Sequence, residues 1–201
     1  MYNTDDIFIS SENKKLGKIK NFSLPHKISC PGKSEWCEKY CYVTRYYRRF
    51  EKCRNAYTKN FEISKEDSFT VLMINKLKKI NSQYLRIHTS GDFYSTDYIN
   101  KWIEICKKLP EHNFWCYTRS WIIPKLFKEI KKLNKIKNIQ IFLSSDPTMS
   151  PPPKDFRIAF IESDKKANGI YCFHDKKLKK NCRECMYCFK DKKENIIFKI
   201  K

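Results

Sequence analysis

The sequence predicts an α/β fold, an open or partial (β/α) barrel, carrying a cysteine-rich C-terminal metal-binding segment. Three observations predict it. Short apolar strands alternate with amphipathic helices at intervals of about 25–30 residues, the pattern of βαβ units in a parallel sheet. Polar and thiol residues recur just past the strands, where such folds collect their chemistry. Seven of the ten cysteines fall into two compact groups. Six expected strands with shortened late crossovers suit an open barrel better than a complete eightfold one. Residues 1–171 are read as the barrel, with a three-cysteine loop at 30–41, and residues 172–201 as a four-cysteine segment.

In chain order, residues 17–29 hold one short strand that ends at the first cysteine group. Residues 38–60 read as one helix. Ser68 is placed to cap a second helix that runs to about residue 80. A strand at 84–88 leads into the loop 89–94. Thr96 then caps a helix whose Ile99, Trp102, Ile103 and Cys106 keep i, i+3, i+4, i+7 spacing. A strand is expected at 114–118, with Cys116 alternating inside it. Pro124 suits the first turn of a helix that buries Leu126, Phe127, Ile130 and Leu133. Strands follow at 139–144, 157–161 and 170–173, the first two separated by a rigid triple-proline loop at 151–153. No internal repeat of 20–50 residues is visible.

Composition narrows the partners. A chain of 201 residues suffices for one sizeable core. The polar, charged first 20 residues make neither a signal nor a transit peptide, and no stretch approaches the roughly 18 apolar residues of a membrane span. A cytoplasmic location follows as the expectation, where clustered cysteines are metal ligands rather than disulfides. The formal charge of +20 points to a polyanion, nucleic acid first, although lysine far outnumbers arginine, as in a default basic surface. The segment 45–54 interleaves Arg45, Arg48, Arg49 and Arg54 with Tyr46, Tyr47 and Phe50. Its rings either stack on bases or face the core of a helix.

The cysteines carry the chemistry. Cys30, Cys37 and Cys41 are spaced C-x6-C-x3-C. They suit zinc with a fourth ligand such as His26 or Cys53, or a [4Fe–4S] cluster with one iron left open. Cys172, Cys182, Cys185 and Cys188 are spaced C-x9-C-x2-C-x2-C, a closed set for a second [4Fe–4S] cluster or for zinc. Cys106 reads as core, and Cys116 as core or barrel lining. The expected strand ends also present His88, Ser90, Gly91, Asp92, Arg119, Ser144 and Asp146. Of these, His88 and Arg119 are the candidates for catalytic roles.

Tyr40-Cys41 and Ser90-Gly91-Asp92 resemble features of the radical S-adenosylmethionine (SAM) superfamily. That superfamily carries three cysteines after its first strand, an aromatic before the third, and a small-small-acid motif after the second strand. Both cysteine gaps here are longer than its usual C-x3-C-x2-C. The resemblance implies a radical-SAM-like barrel, a [4Fe–4S] cluster on Cys30, Cys37 and Cys41, and SAM held near Tyr40, Ser90, Gly91 and Asp92. Ser144 and Asp146 would then meet its ribose or carboxylate, and an electron donor is implied as partner. The segments CPGKSEWCEKYCY, RIHTSGDFYS and CRECMYC together resemble the phage and prophage "gene product eighty-eight" domain family. This implies a mobile-element protein acting in an infected or prophage-carrying host cell. The alternative expectation is a non-catalytic, metal-stabilised nucleic-acid-binding protein.

Overall fold

The computed structural model describes residues 2–11, 13–80, 82–190 and 193–200. Among them, eight strands form one sheet. β1 (Ile9–Ser10) is antiparallel to β2 (Lys20–Phe22). From β2 onward, β3 (Tyr84–Ile87), β4 (Asn113–Thr118), β5 (Ile139–Ser144), β6 (Arg157–Ile161), β7 (Ile170–Tyr171) and β8 (Ile196–Phe198) are all parallel. Their order is β1-β2-β3-β4-β5-β6-β8-β7. The fold is therefore α/β around a mostly parallel sheet. No pairing joins β1 to β7 among the described residues.

The order advances in one direction almost throughout. Crossovers of one hand then send their helices to the same face of the sheet. Packing agrees. Leu85, Ile87, Phe114, Cys116, Ile139, Ile141 and Leu143 join a core with residues of α4 (Phe69–Lys79), α5 (Thr96–Lys108) and α6 (Pro124–Leu133). On the opposite face, Trp115, Phe142, Ala159 and Ile196 pack with Cys172 and Phe189. Alternation along β4 separates the two sets, because successive side chains of a strand point to opposite faces. The C-terminal segment thus covers the face that the helices leave bare. It also contributes β8, which lies between β6 and β7 and pairs with both.

Helices α4, α5 and α6 fall where periodicity places them, and Cys106 and Cys116 are core residues as expected. Capping differs. Ser68 makes no side-chain cap, and Ser95 rather than Thr96 caps α5, its hydroxyl accepting from the Tyr98 N–H at 3.1 Å. The expected helix 38–60 is three helices: α1 (Glu35–Tyr40), α2 (Val43–Arg49) and α3 (Glu51–Lys65). α1 buries nothing and α2 buries only Val43, so no continuous apolar stripe holds this stretch straight. The Arg54 guanidinium bonds the Tyr47 and Arg48 carbonyls at 2.6 and 3.2 Å, satisfying the open C-terminus of α2. β1 and β8 lie beyond the six expected strands. Among the described residues no helix is long and apolar enough to cross a membrane.

Candidate functional site

The three-cysteine loop lies across the C-terminal ends of β2 to β5 and is tied to each. After β2, the Leu24 N–H donates to the Ser90 carbonyl at 2.9 Å, and the Ser90 hydroxyl returns a bond to the Leu24 carbonyl at 2.8 Å. The Asp92 N–H donates to the Ser29 carbonyl at 3.0 Å. Gly91, at φ +83, sits where a Cβ would come within 2.6 Å of both Leu24 and Ser29, so only glycine lets the two loops meet. A Cβ on Gly32 would overlap the Arg119 carbonyl, which brings the loop onto the end of β4. Ser34 caps α1 by accepting from the Cys37 N–H at 3.0 Å and donates to Asp146 Oδ2, past β5, at 2.6 Å.

The acids of this mouth are held by the chain itself. Asp92 is buried and accepts from the Phe93 N–H and Thr118 hydroxyl on Oδ1 and from the Arg119 N–H on Oδ2. Burial raises its pKa against these bonds. Three of its roughly four acceptor positions are filled, which leaves one on Oδ2. Asp146 is full: Thr148 donates twice to Oδ1, while Ser34 and the Arg119 Nε donate to Oδ2. Burial acts to raise its pKa, but these partners together hold it below the usual carboxylate value. Arg119 is therefore paired with Asp146 at 3.3 Å. The Ser144 carbonyl accepts from the Trp121 indole, 2.9 Å away.

Two expected residues stand apart from the mouth. The His88 ring is buried on the helix side, bonded to the Tyr98 hydroxyl at 2.7 Å and packed against Phe22 and Phe93. Burial depresses its pKa to about 3, so the ring is neutral and belongs to the core. Tyr40 packs on Trp36, ring centroids 4.9 Å apart. The Tyr42 hydroxyl, which sequence reasoning missed, donates to the Thr89 carbonyl and fastens the end of the cysteine loop over β3. Ser34 was missed too, although Ser-x-x-Cys ahead of a helix is an N-cap pattern.

The thiols lie in two electrostatically linked groups. Burial, then the Asp92 charge, pushes the Cys30 thiol up to about 12, with Cys37 and Cys41 adding to the rise. Burial raises Cys37, opposed by Arg119 and reinforced by Cys41 and Asp146. In the second group all four cysteines line one small cavity with Met186 and Tyr187. Burial raises Cys182 to about 11 and Cys188 to about 12, and Cys185 rises for the same reason. The backbone N–H groups of Lys27 near Cys30 and of Tyr187 near Cys185 act to lower those two thiols against the burial. The Tyr117 hydroxyl donates to the Cys188 sulfur at 3.0 Å.

A bound cation would reverse these thiol shifts, since a coordinating thiol loses its proton. The donor sets suit a metal in that sense. As placed, no three His, Cys, Asp or Glu side chains among the described residues converge closely enough to hold an ion. His26 packs edge-on against Tyr47 at 4.5 Å, and Cys53 lies within α3. On the sheet face opposite the helices, alternation along β3 sets the Arg86 guanidinium over the Trp115 and Tyr117 rings, 5.7 and 5.0 Å from their centroids. Strand alternation was the available signal for Arg86.

The chain is similar to the Gene 88 protein of Mycobacterium phage D29, 27% identical over 152 residues, and to that of Mycobacterium phage L5, 25% identical over 152 residues. Each match takes in 67% of this chain, which spans about 60% of the length of those relatives. No solved structure matches. The profile of the family described as Gene product 88 matches residues 3–195, and the chain belongs to that family.

Proposed function

We propose that the chain is an iron–sulfur, SAM-dependent radical enzyme of phage or mobile-element origin, built on a partial (β/α) barrel and acting in the host cytoplasm. The observation that supports this reading is the anchoring of the three-cysteine loop. Cys30, Cys37 and Cys41 are strapped by Ser29, Gly32 and Ser34 onto the Ser90–Asp92 loop, Arg119 and Asp146, at the strand ends where parallel α/β sheets work. Cys30, Cys37 and Cys41 would hold a [4Fe–4S] cluster with one iron open. Once bound, the cluster would supply the electron that cleaves SAM.

The chain's own residues do the rest. Asp92 keeps one lone pair on Oδ2 for the SAM ammonium. Gly91 keeps the loop low enough for that approach. Arg119 holds Asp92 through its N–H and Asp146 through its guanidinium. Asp146, already saturated, orients Ser34 and through it Cys37. The closed set of Cys172, Cys182, Cys185 and Cys188 would hold a second [4Fe–4S] cluster or zinc, with a structural or electron-relaying role. A reducing protein partner is required.

Anaerobic reconstitution with iron and sulfide tests the reading. Brown protein carrying roughly four iron per cluster and cleaving SAM under dithionite is the expected result. A colourless zinc protein that neither binds nor cleaves SAM would end it.

A further inference from the structure

We infer that the outer face of α1 and α2 is a docking surface for single-stranded nucleic acid. This gives the proposed enzyme its substrate class; the inference rests on that reading for the reaction but not for the binding. Tyr40, Tyr46 and Phe50 are 51%, 57% and 44% exposed, all within eleven residues that also hold Cys41, whereas Tyr42 is held over β3 by its bond to Thr89. Tyr46 and Phe50 stack on each other, centroids 6.4 Å apart and planes 24° from parallel. A face that leaves three large rings in water gives up the burial that ordinarily places aromatics in a core.

Cations are interleaved with the rings. Arg45, Arg48 and Arg49 are exposed, and none forms an ion pair with an acid among the described residues. Arg49 lies 5.5 Å from the centroid of Phe50 and Lys39 5.3 Å from that of Tyr40. Arg54 does not belong to the surface, since it is spent on the carbonyls of α2. Tyr47 is turned inward against His26.

Charge complementarity selects the occupant. The chain carries +20, and this face presents unpaired guanidiniums beside ring faces, which match phosphates and bases in alternation. Stacking on a side-chain ring requires an unpaired base, so single strands fit and a duplex does not. The surface borders the three-cysteine loop, so a strand lying along α2 passes the mouth.

Fluorescence anisotropy with a fluorescein-labelled 20-nucleotide single strand, as DNA and as RNA, tests this on the full chain without SAM. At least one of the two should bind, with log affinity falling against log salt by about 0.7 per neutralised phosphate. Replacing Tyr46→Ala and Phe50→Ala together should weaken binding about 5- to 150-fold with the salt slope unchanged. Replacing Arg48→Ala and Arg49→Ala should lower the slope. Lys107→Ala with Lys108→Ala, at the far end of α5, should cost little for the same change in charge. The inference is overturned if the ring variants bind like wild type, if the α5 variant loses as much as the arginine variant, or if the duplex binds equally well. Absence of binding at 50 mM salt also overturns it and turns the surface over to a protein partner. Oligonucleotide binding without SAM cleavage would sink the enzyme and spare the surface; SAM cleavage without binding would do the reverse.

Discussion

Asp92 carries both a structural and a proposed functional load, and the two can be separated by substitution. Asp92→Ala would strand the Phe93 and Arg119 N–H groups and the Thr118 hydroxyl, at roughly 1 kcal/mol or more each. Asp92→Asn keeps the Oδ1 acceptor and loses one bond, about 1 kcal/mol, while removing the charge that would meet an ammonium. We expect Asp92→Asn to fold and to bind SAM about tenfold or more weakly by calorimetry; unchanged affinity would discard Asp92 as a SAM ligand. His88 has a different signature. Its folded pKa lies far below 6.5, so as pH falls from about 6.5 toward 3 the unfolded chain takes up a proton that the folded chain refuses. Stability should fall across that window by on the order of a few kcal/mol. Asp92, whose pKa is raised, acts in the opposite sense, since the folded state binds its proton first as pH drops. Urea midpoints between pH 7 and 4 should be flatter for His88→Gln than for wild type. An identical slope would show that His88 is not the group responsible.

At the scale of elements, the strongly periodic segments were legible and the short ones were not. α5 and α6 repeat apolar residues every three to four positions, and β4 and β5 are long enough to show their own strand character. β8 has three residues and no period to read. Its stability comes from β6 and β7 on its two sides and from opposite burial of Ile196 and Ile197 in different clusters. Ile196→Ala should therefore cost about 3 kcal/mol and loosen the cavity that holds the four cysteines, while Ile200→Ala, half exposed, should be near neutral. Equal denaturation midpoints for the two variants would show that β8 is dispensable. The division of 35–65 into three helices was hidden for a related reason. Cys and aromatic residues there resemble an apolar stripe, yet Tyr40, Tyr46 and Phe50 turn outward.

Across the whole molecule the two cysteine groups occupy different mechanical positions. The four-cysteine cavity lies on the sheet face opposite the helices, beside Trp115 and Phe189, whose rings are 4.1 Å apart, and next to β8. The three-cysteine loop is tied on at the rim and covers no comparable apolar surface. With metal bound, Cys185→Ala should lower the melting temperature by about 10 °C, for a loss of roughly 3 kcal/mol. Cys37→Ala should lower it by less than about 3 °C while abolishing SAM cleavage. The reverse ranking in a thermal melt of the reconstituted proteins would mean that the roles are exchanged.

Read along the chain alone, the α/β class, a largely parallel sheet and the burial of Cys106 were already legible. Each follows from local periodicity or from spacing along the chain. Packing in three dimensions was needed to set that His88 faces the helices, that Asp146 is saturated, that Tyr46 and Phe50 face water while Tyr47 turns inward, and that the C-terminal segment enters the sheet. Those outcomes depend on partners far apart in the chain, such as Ser34 with Asp146 or β6 with β8, and no local pattern encodes which partner arrives.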